Sequence, residues 1–187
     1  MADIYTIPTA SPAWARMSVW TPNDIHWDRF DRTRVDFDLV KLIKAASMVE
    51  HNALHYAKYL RTVFQDDDGM QKLAREWAQS EVQHGEVLSR WATLADPEFD
   101  FNGRFNRFVS GYHIPTNVKE SVRGSLTGEL LARCVVETGT SSYYTAIRRA
   151  TQEPVLQELC ERIAADELRH YKDFTRSIWS NAFALWR

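Results

Sequence analysis

Apolar residues recur at alternating steps of three and four over four long stretches of this chain. That is the period of one face of an α-helix. The first stretch runs from about Val35 to Gln65, with Ile43, Ala46, Glu50, Ala53, Ala57, Leu60 and Phe64 on one face. The second spans about Met70 to Leu94, with the stripe Leu73, Trp77, Glu81, His84, Leu88 and Trp91. The third covers about Val118 to Ala150 and turns Leu126, Leu130, Glu137, Thr140, Tyr144 and Ile147 inward. The fourth runs from Pro154 to about Ala184 through Leu156, Leu159, Ile163, Glu167, His170, Phe174 and Ile178. Every stripe carries a glutamate among its apolar residues, and the second and fourth add a histidine three residues later.

Turn signals separate the stretches. Asp66-Asp67-Asp68-Gly69 lies between the first two, with Asp68 as the expected N-cap of the second helix. Thr151-Gln152-Glu153-Pro154 lies between the last two and places Pro154 at the first helical position. Residues 96–117 form a longer connection with one short helix near Phe105–Ser110, and a second hairpin needs such a connection to be repositioned against the first. Residues 1–35 show no sustained period. Pro8, Pro12 and Pro22 punctuate them, while Trp14, Trp20 and Trp27 give them an apolar mass that a solvated tail would not carry. The pattern therefore predicts an all-α fold: one helical domain over residues 36–187 and an arm over residues 1–35 that packs on it or on a partner subunit.

Composition narrows the function classes. At 187 residues the chain is long enough for one substantial core. A net charge of −2 lacks the basic surplus of a general nucleic-acid binder. No apolar run approaches the roughly 18 residues of a membrane span. The first residues lack a basic stretch followed by an apolar one, so no signal peptide and a cytoplasmic location are expected. Cys134 and Cys160 form no CxxC, which leaves out a rubredoxin-type or zinc-ribbon module.

The spacing of the polar residues on the stripes carries the chemistry. Glu50 and Glu81 are 31 positions apart, and Glu137 and Glu167 are 30 apart. The midpoints fall on the two turns. In an antiparallel hairpin, residues equidistant from the turn lie at one height, here roughly 23 Å from it at 1.5 Å per residue. Each hairpin thus brings a lone glutamate level with a Glu-x-x-His, Glu81–His84 in one and Glu167–His170 in the other. The i, i+3 spacing puts both members of each pair on one face. Buried carboxylates cost several kcal/mol each unless paired. Two divalent cations balance four carboxylates, and mixed carboxylate and imidazole donors suit iron or manganese. This donor set is the general description of di-iron helix bundles. The expected ligands are Glu50, Glu81, His84, Glu137, Glu167 and His170, around two metal ions about 3.5–4 Å apart. Glu129 is a rival for Glu137, but it lies off the stripe and breaks the spacing match.

The motifs resemble those of the soluble acyl-carrier-protein desaturases, a branch of the ferritin-like di-iron oxygenases. That family's second helix carries E-E-x-x-H-G-D followed by a leucine; Ser80-Glu81-Val82-Gln83-His84-Gly85-Glu86-Val87-Leu88 is similar. Its fourth helix carries D-E-x-R-H, matched by Asp166-Glu167-Leu168-Arg169-His170. Thr140 stands three residues after Glu137, where the family has a threonine associated with oxygen activation. The resemblance covers roughly residues 36–180. It implies a ferritin-like four-helix bundle, two iron ions bridged by Glu81 and Glu167, and Thr140 as a catalytic residue. It also implies that Asp166 accepts a hydrogen bond from the non-ligating nitrogen of His84, with Arg169 beside it.

By the same resemblance the protein is expected to be a cytoplasmic homodimer that uses O2 to desaturate or hydroxylate a fatty-acyl-like apolar substrate. That substrate would be free or carried on an acyl carrier, and electrons would come from an external ferredoxin-like donor. Arg104, Arg107, Lys119 and Arg123 offer a basic patch for an acidic carrier. The chain is much shorter than typical members of the family. Iron storage or ferroxidase activity, as in bacterioferritin, and rubrerythrin-like peroxidase activity use similar motifs. A ribonucleotide reductase small subunit has its radical tyrosine four residues after the second-helix histidine, where this chain has Leu88.

Overall fold

Asp67, Ser125 and Glu153 set where the long helices begin. The computed structural model describes residues 20–184, with side chains through residue 179. Among them run α1 (Phe37–His51), α2 (Ala53–Val63), α3 (Asp68–Ala95), α4 (Phe101–Gly111), α5 (Leu126–Ala150) and α6 (Pro154–Ala184). No strand occurs among the described residues, so the fold class is all-α. No helix among them is long and apolar enough to cross a membrane.

Each start has a local cause. The Asp67 carboxylate accepts the Met70 amide at 2.9 Å, so α3 is capped one residue earlier than expected. Three adjacent aspartates leave that choice to tertiary fit. The Ser125 hydroxyl accepts the Gly128 amide at 3.0 Å and caps α5. Gly124 before it has φ 81°, a backbone region open to glycine, which stops the helix from reaching back to Val118. Leu126 consequently lies exposed rather than inward. The Glu153 carboxylate accepts the amides of Leu156 at 2.7 Å and Val155 at 3.3 Å ahead of α6. It also receives the Trp91 indole at 2.7 Å and the Asp31 amide at 3.1 Å. One buried carboxylate thus ties α6, α3 and the N-terminal segment together.

The first expected helix is two helices. Asn52 interrupts it, its amide shared between the carbonyls of Met48 and Val49 at 3.2 Å each. Its side chain contacts His55 Nδ1 at 2.6 Å, the local bonding by which asparagine competes with helix. The expected face survives the break: Ile43, Glu50, Ala53, Ala57, Leu60 and Phe64 are buried.

α3 lies against α1 and α2, α5 lies against α6, and the two layers meet chiefly through α3 and α6. Two apolar clusters result. One gathers Ile43, Leu88, Trp91, Tyr144 and Ile163. The other gathers Ala53, Leu60, Trp77, Leu130 and Phe174. Each site glutamate lies along the chain between a residue of one cluster and a residue of the other: Ile43 of α1 and Ala53 of α2 flank Glu50, Trp77 and Leu88 flank Glu81, Leu130 and Tyr144 flank Glu137, and Ile163 and Phe174 flank Glu167. The acids therefore form a polar layer between two dry ones.

Residues 1–19 of the expected arm, Trp14 among them, lie outside the described residues. Residues 20–35 make three short 3-10 turns, Pro22–Asp24, Trp27–Arg29 and Arg32–Arg34. They pack on helices of the same chain: Trp20 and Ile25 are buried, and the His26 amide donates to Glu158 of α6 at 3.2 Å. The short helix of the long connection, α4, begins four residues earlier than expected and presents Phe101 and Phe105 edge-on to His51 at 5.3 and 4.9 Å.

Gly85 lets α1 and α3 approach. A β-carbon there would stand 2.7 Å from the backbone nitrogen of His51 and 2.9 Å from its Cα. Around a Cβ at Gly139 there is nothing within 4 Å. Gly85→Ala is expected to destabilise by about 1–3 kcal/mol through overpacking. Gly139→Ala, an exposed mid-helix change, is expected to stabilise by up to about 1 kcal/mol. Urea unfolding of the two variants should give opposite signs; a neutral Gly85→Ala would contradict the close helix contact.

Candidate metal centre

The polar layer holds all six residues that the spacing singled out. α1 supplies Glu50, α3 supplies Glu81 and His84, α5 supplies Glu137, and α6 supplies Glu167 and His170, all of them buried. Their donor atoms form two overlapping groups. Glu50, Glu81, His84 and Glu167 make one; Glu81, Glu137, Glu167 and His170 make the other. Within each group the donors lie within 4.8 Å of one another. Glu81 and Glu167 belong to both, one from each Glu-x-x-His.

Buried polar atoms are normally partnered, which makes the exceptions informative. Glu129 and Glu153 are buried carboxylates with structural partners. Glu129, the rival of the sequence reading, takes the hydroxyls of Tyr56 at 2.6 Å, Tyr59 at 2.7 Å and Ser121 at 2.7 Å. In the centre, by contrast, Oε1 of Glu81, Oε1 of Glu167 and Nδ1 of both His84 and His170 are buried without a hydrogen-bond partner. They crowd one another instead: His170 Nδ1 lies 2.8 Å from Glu81 Oε1, and His84 Nδ1 lies 3.2 Å from Glu167 Oε1. Unpartnered oxygens and imidazole nitrogens converging in this way fit a pair of cations. They are the donor types that iron and manganese accept.

The surroundings orient these donors. Nε2 of His84 lies 3.1 Å from Asp166 Oδ2. A carboxylate can only accept, so Nε2 carries the proton and Nδ1 turns to the centre. Asp166 also receives the Trp20 indole at 2.8 Å and pairs with Arg169 at 2.7 Å. The Trp20 ring stacks over His84, with centroids 6.1 Å apart and planes 9° apart. The Thr140 hydroxyl donates to Glu167 Oε2 at 2.8 Å, which brings this residue to a carboxylate of both groups.

Three participants escaped the sequence reading. Arg133 is buried and donates from Nη2 to Glu137 Oε1 at 2.9 Å. Its position four residues before Glu137 was the available signal. Tyr144 donates its hydroxyl to Glu50 Oε1, although the stripe marked it only as core. Trp20 counted only as apolar mass.

Crowding moves protons. Burial, with neighbouring glutamates, pushes Glu81 well above the ordinary carboxylate range and Glu167 up to about 8. Burial works against charge on His84, but the Asp166 and Glu167 carboxylates beside its two ring nitrogens outweigh it and push the ring up to about 10. Burial alone would raise Glu137, yet His170 and Arg133 hold it below the ordinary range. Burial pushes His170 down.

Two cavities reach this layer. One, of about 290 Å³, touches Glu50, Glu81, Glu137, Glu167 and Thr140, and is walled by residues of α1, α2, α4 and α5, by Ile114 and Arg123 of the connection, and by Trp77. The other, of about 350 Å³, reaches His170, Asp166 and Trp20 but none of the four glutamates. The basic patch of the sequence reading is not a unit of the chamber: Arg123 lines the first cavity, whereas Arg104, Arg107 and Lys119 do not. Comparisons with protein-family models, with curated proteins and with solved structures find no match for this chain.

Metal-free protein holds protons that the unfolded chain would release. Glu167 does so between pH 4.5 and about 8, and His84 between pH 6.5 and about 10. Both folded values are raised, so their stabilisation is lost as pH climbs through these windows. The melting temperature of metal-free protein is expected to fall from pH 6 to pH 9, and added divalent metal to displace protons and offset the fall. Calorimetric titration of Mn2+ in buffers of different ionisation enthalpy would register the released protons; a flat melting profile with no proton release would refute the assignment.

Proposed function

We propose that the chain is a ferritin-like four-helix protein that binds two iron ions and uses O2 to oxidise an apolar substrate. One observation carries the reading. Two donor groups that share Glu81 and Glu167, with their central atoms unpartnered, line the floor of a largely apolar chamber that opens to the surface. When bound, reduced iron supplies the open coordination and electrons with which dioxygen becomes an oxidant for an unactivated C–H bond.

The protein's own part is positioning and exclusion. Tyr144 and Arg133 fix the two lone glutamates, Glu50 and Glu137. Asp166 fixes the tautomer and direction of His84. Thr140 holds its hydroxyl proton on Glu167 at the chamber edge, where it can follow charge changes on that carboxylate. Trp20 and Arg169 hold the Asp166 carboxylate in place behind His84, at the edge of the second cavity. Desaturation reduces O2 to two waters, with two electrons from the substrate and two from outside. Hydroxylation puts one oxygen atom into the substrate and the other into water, and also takes two outside electrons. An external donor of the ferredoxin type is therefore part of the proposal.

Purified protein loaded with Fe2+ is expected to hold two irons per chain. Glu167→Ala, which removes a residue of both groups, should lose both, whereas Glu50→Ala should keep one. Thr140→Val should keep both irons and slow substrate-dependent O2 consumption by about 10- to 100-fold, the equivalent of one hydrogen bond to a charged group. Elemental analysis and an oxygen electrode read these outcomes. A large cage assembly that takes up iron without any organic substrate would point instead to ferroxidase activity.

A further inference from the structure

We propose that the chamber beside the glutamates is a binding site for a small aromatic carboxylic acid, received by the buried guanidinium of Arg133 with Arg123 at its rim. The inference rests on the two-metal reading above and narrows its substrate.

Size comes first. A cavity of about 150 Å³ holds one benzene. At about 290 Å³ this chamber takes one substituted ring or a body of similar bulk, and a long acyl chain would extend beyond its mouth. Its walls suit a flat apolar body. Trp77 and Tyr56 line it from α3 and α2, and Phe108 and Tyr112 from α4 and the residue after it, these last two rings stacked 5.4 Å apart at 12°. Aromatic rings recognise one another by offset and edge contacts.

Charge comes second. Two divalent cations balance the four glutamates, so Glu137 no longer belongs to Arg133 alone. Asp166 is matched by Arg169. Within the layer the Arg133 charge is then the surplus, on a residue 8% exposed; Glu129, the buried acid one turn before it on α5, is occupied by three hydroxyls. An unbalanced buried charge is costly, and an anion beside it offsets that cost.

Donor geometry comes third. Arg133 is wedged over the rings of Tyr56 at 4.7 Å and Trp77 at 5.0 Å, which fixes its plane. Nη2 serves Glu137, while Nε is buried with no partner. A guanidinium offers a fork of donors matched to a carboxylate. An unsatisfied donor on a chamber-lining arginine marks where a second carboxylate binds. Exposed Arg123, the other cation lining the chamber, steers an anion toward it.

Calorimetric titration of the metal-loaded protein tests this with benzoate, its uncharged near-isostere benzamide, and palmitate. Benzoate is expected to bind one per chain, at least tenfold more tightly than benzamide and than palmitate. Arg133→Met should erase the preference for benzoate, and Arg123→Gln should weaken benzoate a few-fold, more at low salt than at high. If Arg133→Met does not fold, the wild-type ratio of benzoate to benzamide decides alone. Two metals bound with equal affinity for benzoate and benzamide, or with palmitate the tightest ligand, would overturn this inference and leave the two-metal reading intact. Protein that takes up no metal would overturn the proposed function, and this inference with it.

Discussion

Four carboxylates buried within a few ångströms of one another repel, and each loses its hydration as well. Apolar packing on either side makes the problem sharper, since it removes the water that would screen them. The structure answers in two ways. The lone glutamates are each given one donor, Tyr144 for Glu50 and Arg133 for Glu137. The central pair, Glu81 and Glu167, is left with unpartnered oxygens and with values raised until protons stay on. Without a bound cation, the stability of the centre thus depends on protons staying on those carboxylates.

The carboxylates outside the centre show that the fold is able to satisfy buried acids when it needs only structure. Glu153 has four donors and joins α6 to α3 and the N-terminal segment. Glu129 has three hydroxyls and fastens α5 to α2 and to the connection before it. Both are as buried as the central pair. The difference is completeness of partners: Glu129 and Glu153 are fully used in holding the chain together, and the central pair is not.

Much of the architecture was legible because it is local. Helix period is written residue by residue, and hairpin register follows from distance to a turn, so Glu50, Glu81, Glu137 and Glu167 could be placed at one level from the sequence. The preference for Glu137 over Glu129 was legible for the same reason. What escaped depends on contacts between helices. Nothing local says that Tyr144 meets Glu50 across 94 positions or that Trp20 meets Asp166. The break at Asn52 and the late start of α5 hang on single-residue backbone choices inside otherwise helical patterns. The chamber has no sequence signature at all, because its walls come from α1 to α5 and take shape only when those helices assemble.

The Trp20 contact also bears on how the protein is made. Trp20 and Asp166 stand 146 positions apart, and contacts between distant residues close late, after the loop between them has been ordered. A nascent chain presents Glu50, Glu81 and His84 long before Glu137, Glu167 and His170 exist. The early hairpin therefore emerges with half of an acidic layer and with a tryptophan whose partner is still unsynthesised. The indole can stack on His84 once α3 has formed, but only when α6 has left the ribosome can it reach the Asp166 carboxylate, so the centre is completed last.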